Sequence, residues 1–368
     1  MEAGLYIHIP FCRKKCNYCD FYSCGGAQAV PEEYIDALLR EIEKWPGLVC
    51  RTVYFGGGTP SLLTGSQVSR ILAALQTAEG TEITLEANPD TLTYEKLAAY
   101  RAAGVNRLSI GVQTVYDKSL QVLGRIHSAE KAGTAFDMAR AAGFENISGD
   151  VMLGLDNYSE KEMKDTIDFL INHGAKHISA YMLKVEEGTP FYTNRPENLA
   201  TEEELADYYL ACCEYMAEKG FTQYEISNFC LPGYHSRHNS IYWQLDNYLG
   251  IGPSAHSCME GRRFYYPRSL EQFIRGCDPV QDGTVDADDY IMLSLRLKEG
   301  LDLEVLQKKW GLAVSPFTLK KLEIYRNRGF IVFENNRISL TPKGFLAENV
   351  IASDIMSGAE SSQDKHQI

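Results

Sequence analysis

The stretch that decides the fold is Leu5-Tyr6-Ile7-His8-Ile9, followed after one proline by Phe11-Cys12-Arg13-Lys14-Lys15-Cys16-Asn17-Tyr18-Cys19. The first run has the composition of a β-strand, and it leads into three cysteines with the spacing C-x3-C-x2-C. In parallel βα folds the loops at the carboxyl ends of the strands carry the chemistry. Three thiolates from one such loop can bind three irons of a [4Fe–4S] cluster and leave the fourth iron open to a small molecule.

Two other kinds of site fit the same cysteines. A structural zinc site would take its fourth ligand from His8 or Cys24, and a thioredoxin-like redox pair would use Cys16 and Cys19 at the start of a helix. The remaining cysteines lack this spacing and are predicted to be inert residues: Cys50, Cys212, Cys213, Cys230, Cys258 and Cys277.

Outward from this loop, short β-rich runs alternate with amphipathic helical patterns. Strands are predicted at residues 5–9, 52–55, 82–87, 107–112, 146–153, 177–183 and 222–226, and helices at residues 31–45, 65–76, 94–103, 129–142, 160–173 and 201–219. Six or seven βα units in a row predict an α/β fold whose parallel sheet has right-handed crossovers and closes fully or partly into a barrel.

The rhythm changes twice after this region. Residues 231–285 are rich in glycine, proline and aromatic side chains and are predicted to be irregular. Residues 286–356 show three short helical patterns and a hairpin that turns at Asn335-Asn336, which predicts a small winged-helix-like domain. The predicted organisation is therefore a barrel over 1–230, an irregular segment, this C-terminal domain, and a disordered tail over 357–368.

Composition limits the functions that this chain can have. It has 368 residues and 41.3 kDa, and 36 Lys plus Arg against 49 Asp plus Glu give a net charge of −13. This balance argues against nucleic-acid binding, in spite of a local excess of basic residues between positions 305 and 345. Neither a secretory leader nor a long apolar stretch is visible, so we expect a cytoplasmic protein whose cysteines form no disulfide framework.

Polar and glycine residues follow successive predicted strands. Phe55-Gly56-Gly57-Gly58-Thr59-Pro60 follows the second strand, and consecutive glycines let a ligand approach the backbone. Glu86 lies near the end of the third strand, where its carboxylate can accept hydrogen bonds from ribose hydroxyls. Residues of the same kind end or follow the fourth and fifth strands, namely Gln113, Arg125 and Asp150.

Together with the cysteine loop, these residues resemble the radical S-adenosylmethionine (SAM) superfamily over residues 5–190, and within it the coproporphyrinogen dehydrogenase branch. The resemblance implies a partial (β/α)6 radical-SAM barrel with a [4Fe–4S] cluster bound by Cys12, Cys16 and Cys19. It also implies that SAM is contacted by Tyr6, Gly57, Gly58, Thr59, Glu86, Gln113, Arg125 and Asp150. Tyr18 lies within the cluster loop, and Lys184 is the candidate on the adenine side.

Two lineages with this pattern differ in function. Oxygen-independent coproporphyrinogen III dehydrogenases carry a further cysteine where this chain has Phe21, and they have a long segment before the cysteine loop, whereas eleven residues precede Cys12 here. The chain instead contains His238-Asn239-Ser240-Ile241-Tyr242-Trp243, which matches the HNxxYW signature of HemW-type haem chaperones.

The chaperone resemblance implies that haem binds with His238 as an iron ligand and with Tyr242 and Trp243 against the macrocycle. It implies apo-haemoproteins as partners, among them those of the respiratory chain, and it admits a homodimer. On this interpretation the chain has a radical SAM scaffold without dehydrogenase activity. The alternative is the coproporphyrinogen III dehydrogenase, which oxidatively decarboxylates propionates.

Overall fold

The computed structural model describes residues 1–361, and its centre is a run of parallel strands in chain order. These strands are β1 (Glu2–Ile9), β2 (Val49–Gly57), β3 (Gln76–Ala87), β4 (Arg107–Gln113), β5 (Asn146–Leu153) and β6 (His177–Met182). Each is paired in parallel with the next, from β1 to β6. The predicted parallel α/β architecture is confirmed.

Helices connect these strands and cover one side of the sheet. They are α1 (Glu32–Glu43), α2 (Gly65–Ala73), α3 (Tyr94–Ala103), α4 (Asp117–Val122), α5 (Ala129–Ala141), α6 (Glu160–Asn172), α7 (Pro190–Thr193) and α8 (Glu202–Glu218). The six predicted helices are all present, because capping residues such as Thr64 and Thr201 begin α2 and α8 where the apolar periodicity starts. The short helices α4 and α7 have no such periodicity and were not predicted.

The two faces of β1 show how the barrel is built. Leu5, Ile7 and Ile9 are fully buried in the hydrophobic core. The alternate residues Tyr6 and His8 lie on the other face, inside the barrel. This interior is unusually polar, and it also holds Thr84, Arg107, Ser148 and His177, each at most 1% exposed. Polar side chains therefore occupy the inner face of several neighbouring strands.

The sheet continues on both sides of the six strands. β7 (Thr222–Gln223) and β8 (Asn228–Cys230) extend it beyond β6, and β9 (Tyr248–Ile251), β10 (His256–Met259), β11 (Arg262–Tyr265) and β12 (Val280–Thr284) extend it beyond β1. β9 is parallel to β1, and the outer strands are antiparallel. Among the described residues β7 and β12 form the two edges, so the barrel is partial.

The prediction of an irregular segment over 231–285, separate from the barrel, is wrong. In addition to β9–β12, the segment contains α9 (Arg237–Trp243) and α10 (Leu270–Arg275), and its strands belong to the barrel sheet. Strands of four residues that contain glycine or arginine are too short to show a β-period in the sequence. The predicted strand at 222–226 is similarly reduced to the two residues of β7.

The C-terminal part forms the predicted winged-helix-like arrangement. Its elements are α11 (Ala287–Leu295), β13 (Leu301–Asp302), α12 (Leu303–Trp310), β14 (Leu312–Val314), α13 (Pro316–Asn327), β15 (Ile331–Glu334), β16 (Arg337–Leu340), α14 (Pro342–Phe345), α15 (Glu348–Ser357) and β17 (Ala359–Ser361). Asn335 and Asn336 have φ of 51° and 58°, as a type I′ hairpin turn between β15 and β16 requires.

The prediction of a disordered tail from residue 357 is wrong for the residues that the structure describes. β17 pairs with β14 at its beginning, and residues 362–368 lie outside the described residues. No helix within residues 1–361 combines the length and the apolar character that a membrane crossing needs.

Candidate functional site

The cysteine loop lies at the carboxyl end of β1 and is fixed by backbone hydrogen bonds. The Cys12 amide donates to the Cys24 carbonyl at 2.9 Å, and the Cys24 amide donates to the Pro10 carbonyl at 2.7 Å. In the middle of the loop, the Asn17 amide donates to the Leu123 carbonyl at 2.9 Å. The loop therefore spans from β1 to the segment after α4 and lies across the barrel mouth.

The three thiols occupy different environments within this loop. Cys12 is buried and its Sγ accepts a hydrogen bond from the Thr59 hydroxyl at 3.5 Å, whereas Cys16 and Cys19 are partly exposed. Burial raises the pKa of Cys12, and it raises the pKa of Cys19 to about 11. Thiolates at these positions need a positively charged partner, and metal binding provides one because it deprotonates the thiol.

The structure does not support the two alternative sites. Both ring nitrogens of His8 are engaged, Nδ1 with the Tyr6 hydroxyl at 3.0 Å and Nε2 with the Tyr22 carbonyl at 2.8 Å. Among residues 1–361, no three His, Cys, Asp or Glu side chains are arranged to hold one metal ion, and His8 is not free to act as the fourth ligand of a zinc site. Cys16 and Cys19 lie in the loop, and the next helix begins only at Glu32, which differs from a thioredoxin-like motif.

One cavity of about 500 Å³ brings the predicted site residues together at the barrel mouth. Its lining includes Cys12, Cys16, Tyr18, Cys19, Gly57, Gly58, Thr59, Glu86, Gln113, Arg125, Asp150 and Lys184. Lys184 lies at the exposed rim, where its Nζ pairs with Glu186 at 2.8 Å. Tyr6 does not line the cavity: it packs beneath Gly56, where a Cβ atom would be 2.8 Å from the Tyr6 ring. Its predicted direct contact with SAM does not agree with this position.

The glycine run forms a close-packed cradle beside the cysteine loop. Gly57 has φ of 109°, a left-handed conformation that side-chain-bearing residues rarely adopt. A Cβ atom on Gly58 would lie 2.8 Å from the Phe11 carbonyl oxygen and 2.9 Å from that of Ile9. Glycine is required at position 57 by the backbone conformation and the neighbouring His8 ring, and at position 58 by the close approach of the Ile9 and Phe11 backbone.

Two carboxylates and a guanidinium define the electrostatics of the cavity. Glu86 accepts hydrogen bonds from the Tyr54 hydroxyl at 2.8 Å and the Gly57 amide at 3.2 Å, and burial raises its pKa to about 7. Burial also raises the pKa of Asp150 to about 6. Arg125 donates to the Tyr18 hydroxyl at 2.6 Å, so the arginine holds the cysteine loop against the barrel. A ligand with both a cationic and an anionic group complements this set.

Some buried polar atoms of the cavity have no partner in the protein. Gln113 Oε1 and Arg125 Nε are both buried without a hydrogen bond among the described residues. Gln113 also has φ of 71°, and strained conformations of this kind are concentrated at functional sites. An unpaired acceptor and an unpaired donor facing one cavity fit the ammonium and carboxylate groups of SAM, and three thiols at its edge fit a [4Fe–4S] cluster.

Comparisons with known proteins agree with this geometry. The model of the radical SAM superfamily matches residues 6–170. A protein of Bacillus subtilis (strain 168) named heme chaperone HemW is 34% identical over 367 residues, which cover 94% of this chain and 97% of that relative. The chain belongs to the HemW family. Membership of the radical SAM superfamily implies a [4Fe–4S] cluster and SAM as cofactors.

Further similarities extend the match to the C-terminal domain. The Escherichia coli (strain K12) HemW protein is 38% identical over 262 residues, 69% of each chain, and the HemN C-terminal domain model matches residues 284–347. The structure of the coproporphyrinogen III oxidase HemN from Escherichia coli has a TM-score of 0.82 at 22% identity and covers 96% of this chain and 89% of that chain. This likeness shows that the two proteins share a fold.

Sequence reasoning missed residues that complete the site of this HemW-family chain. The Asn88 side chain accepts from Arg125 at 2.8 Å and donates to the Thr59 hydroxyl at 3.1 Å, so it connects two predicted residues. Ser109 also lines the cavity, and Tyr181 lines it as part of the strand expected on the adenine side. Asn88 could have been predicted because it lies two residues after Glu86 in extended backbone. Alternate residues of an extended chain point to the same side, so both side chains are directed to the barrel mouth.

The HNxxYW residues of this HemW-family chain lie in α9, and none of them lines the cavity at the barrel mouth. His238 is fully buried, with Nδ1 bonded to the Thr52 hydroxyl at 2.7 Å and Nε2 to the Tyr242 hydroxyl at 2.6 Å. Burial lowers the pKa of His238 to about 3, so its imidazole is neutral. Because both ring nitrogens are engaged, the structure differs from the expectation that His238 is free to bind haem iron.

The two aromatic residues of the motif are partly buried by neighbouring side chains. The Tyr242 ring packs edge-on against Tyr248, with centroids 4.6 Å apart. The guanidinium of Arg296 lies 4.5 Å above the Trp243 ring. Both residues therefore help to join α9 to the surrounding structure, and Arg296 covers one face of the Trp243 ring.

Proposed function

We propose that this protein is a haem chaperone, which binds haem and SAM beside a [4Fe–4S] cluster and transfers the haem to apo-haemoproteins. The observation that carries the proposal is similarity over almost the whole chain to relatives named heme chaperone HemW, at 34% identity in Bacillus subtilis and 32% in Mycobacterium tuberculosis. The recipients proposed are apo-haemoproteins, including those of the respiratory chain, and the location proposed for this chain is the cytoplasm. A homodimer is part of the same proposal.

The cofactor site proposed is the cavity at the barrel mouth. Cys12, Cys16 and Cys19 would hold the cluster, which supplies a redox-active centre with one coordination position open when bound. The Thr59 hydroxyl donates to the Cys12 sulfur at 3.5 Å and would stabilise its thiolate form. Arg125 fixes Tyr18 against the barrel and so keeps the loop closed over the cavity.

The residues opposite the cysteines would bind SAM. Gly57 and Gly58 leave room for the amino-acid part of SAM to approach the backbone, and Glu86 would accept hydrogen bonds from its ribose hydroxyls. The unpaired Gln113 Oε1 would accept from a donor group of the ligand. These side chains bind and orient SAM, and the proposed chaperone function assigns them no proton transfer.

The second candidate function, coproporphyrinogen III dehydrogenase, rests on the shared fold alone, because the similarity to the HemN structure is at 22% identity. Phe21 occupies the position of the further dehydrogenase cysteine, and its side chain is 65% exposed at the cavity edge. An apolar ring there provides no thiol to the site. We therefore propose that the chain has no dehydrogenase activity.

The test is an anaerobic reconstitution of the full chain with iron and sulfide, divided between two assays. A haem titration followed by absorbance should give saturable, stoichiometric binding. Incubation with coproporphyrinogen III, SAM and a reductant should give no protoporphyrinogen. Transfer to an apo-haemoprotein would then be followed by its recovered haem spectrum. SAM-dependent decarboxylation without haem binding would refute the chaperone proposal.

A further inference from the structure

We propose that haem binds in a second cavity at the opposite end of the barrel from the cysteine loop, with His235 as its iron ligand. This inference rests on the proposed chaperone function and deepens it, because it gives that function a site. The cavity, here called the lower cavity, has a volume of about 580 Å³, within the usual range for ligand pockets. Its lining includes Arg51, Tyr224, Cys230, His235, Arg237 and Ile241.

The position of the lower cavity follows from β2. Arg51 and Thr52 lie near the start of this strand and line the lower cavity, whereas Gly57 lies at its end and lines the SAM cavity. Leu297 and Glu299, in the segment that follows α11, complete the lining. The lower cavity is therefore formed between the barrel and the C-terminal domain and is separated from the cysteine loop by the length of the barrel.

His235 has the properties that the buried His238 lacks. Its side chain is exposed and lines the lower cavity, and no hydrogen bond within the described residues engages its ring nitrogens. The Tyr224 ring holds it edge-on, with centroids 6.1 Å apart. The Tyr224 hydroxyl is itself fixed by His177 Nε2 at 2.8 Å and the Ser236 amide at 3.2 Å. An accessible imidazole on a rigid support is a suitable axial ligand for haem iron.

The lower cavity is lined by two basic residues, Arg51 and Arg237, and by two acidic residues, Asp246 and Glu299. Arg51 pairs with Asp246 at 2.8 Å, but its Nε is buried without a partner among residues 1–361. Arg237 uses one guanidinium nitrogen to donate to the Gly80 carbonyl at 2.7 Å, which leaves other donors for a propionate. Ile241 and Leu297 supply apolar surface for the porphyrin plane.

On this interpretation the histidine of the HNxxYW motif is a positioning residue. His238 anchors α9 through Thr52 and Tyr242, and Glu82 accepts the His238 amide at 3.1 Å at the start of the same helix. Ser240 and Ile241, from the outer part of α9, line the lower cavity. The buried motif therefore shapes the wall of the cavity, and His235, three residues earlier in the chain, provides the bond to iron.

The test is a titration of the full, cluster-reconstituted chain with ferric haem, followed by the Soret band. His235→Ala should weaken haem binding by about 100-fold. Losing a residue that only hydrogen-bonds a metal ligand typically costs about 10- to 100-fold in metal affinity, and loss of the ligand itself is expected at the upper end of that range. It should also shift the Soret maximum, and added imidazole should restore the parental position. The matched control is His256→Ala, because His256 is a 60% exposed histidine outside the lower cavity. This variant should bind as the parent does.

A third variant separates the ligand from the positioning residue. His238→Asn should keep the parental Soret position, because His238 acts on haem only by positioning α9. A thermal melt of the same variant should show a lower melting temperature, because α9 loses part of its anchor. Loss of the parental spectrum in His238→Asn, with the spectrum kept in His235→Ala, would overturn the site. Failure of the parent chain to bind haem would instead refute the proposed function itself.

Discussion

Replacing His238 with alanine should destabilise the protein strongly in the absence of haem. The substitution leaves the Thr52 and Tyr242 hydroxyls without their partners at 2.7 and 2.6 Å in a site where the histidine is fully buried. Each buried group left unpaired costs about 1–3 kcal/mol, and the cavity left by the imidazole adds to that. We expect the free energy of unfolding to fall by about 3–5 kcal/mol, a large part of a typical total.

The measurement is urea unfolding of the haem-free chain, followed by far-UV circular dichroism. Thr52→Val removes one of the two hydrogen bonds and nearly preserves volume, so it should cost about 1–3 kcal/mol. The two substitutions combined should cost less than their sum, because they remove the same bond. His256→Ala, at an exposed site, should stay within about 0.5 kcal/mol of the parent. A His238→Ala variant as stable as the His256→Ala variant would refute the structural role of the motif histidine.

Three other predictions concern the barrel mouth. Gly57→Ala should lower the free energy of unfolding, measured in urea, by about 1–3 kcal/mol, because alanine is strained at a φ of 109° and its Cβ would clash with the His8 ring. Gly26→Ala is the control: its φ is 87° but no atom lies near the added Cβ, so it should lower the free energy of unfolding by less. Cys16→Ser should lose the visible absorption and bound iron of the reconstituted cluster, whereas Cys277→Ser should keep both; iron retained in the first variant would contradict the ligand assignment. The pKa of Glu86 is raised to about 7 from 4.5, so the stability that its neutral form contributes in the cofactor-free chain is complete below pH 4.5 and is lost as the pH rises through 7. The change amounts to about 3 kcal/mol, and Glu86→Gln should remove it from the pH dependence of unfolding.

Much of the barrel and the C-terminal domain could be predicted because the signals are local. The alternation of β-rich runs with capped helical patterns is present within each βα unit. The hairpin at Asn335-Asn336 depends only on two residues that tolerate positive φ. The residues predicted at the strand ends line one cavity, since parallel strands in chain order bring their carboxyl ends to one mouth.

The rest depends on contacts between distant parts of the chain. β9 has four residues, and it is a strand because β1 lies beside it. The sequence of α9 likewise does not show that Thr52, far away in β2, engages the His238 ring. The same sequence motif can contain a histidine that binds a metal or a histidine that is buried with both ring nitrogens hydrogen-bonded. Only the fold distinguishes them, because burial is a property of the whole chain.

The pairing of β1 with β9 affects how the protein matures in the cell. β1 leads into the cysteine loop. Its second neighbour in the sheet is β9, so residues 4–7 pair with residues 248–251. At about 5–20 residues per second, the ribosome needs on the order of 10–50 s to synthesise the chain between them. During that time one edge of β1 stays open to wrong pairing partners. Iron and sulfide delivered to the loop of a nascent chain would therefore meet an unfinished sheet, and the cluster acquires its rigid support only after two thirds of the protein has been made.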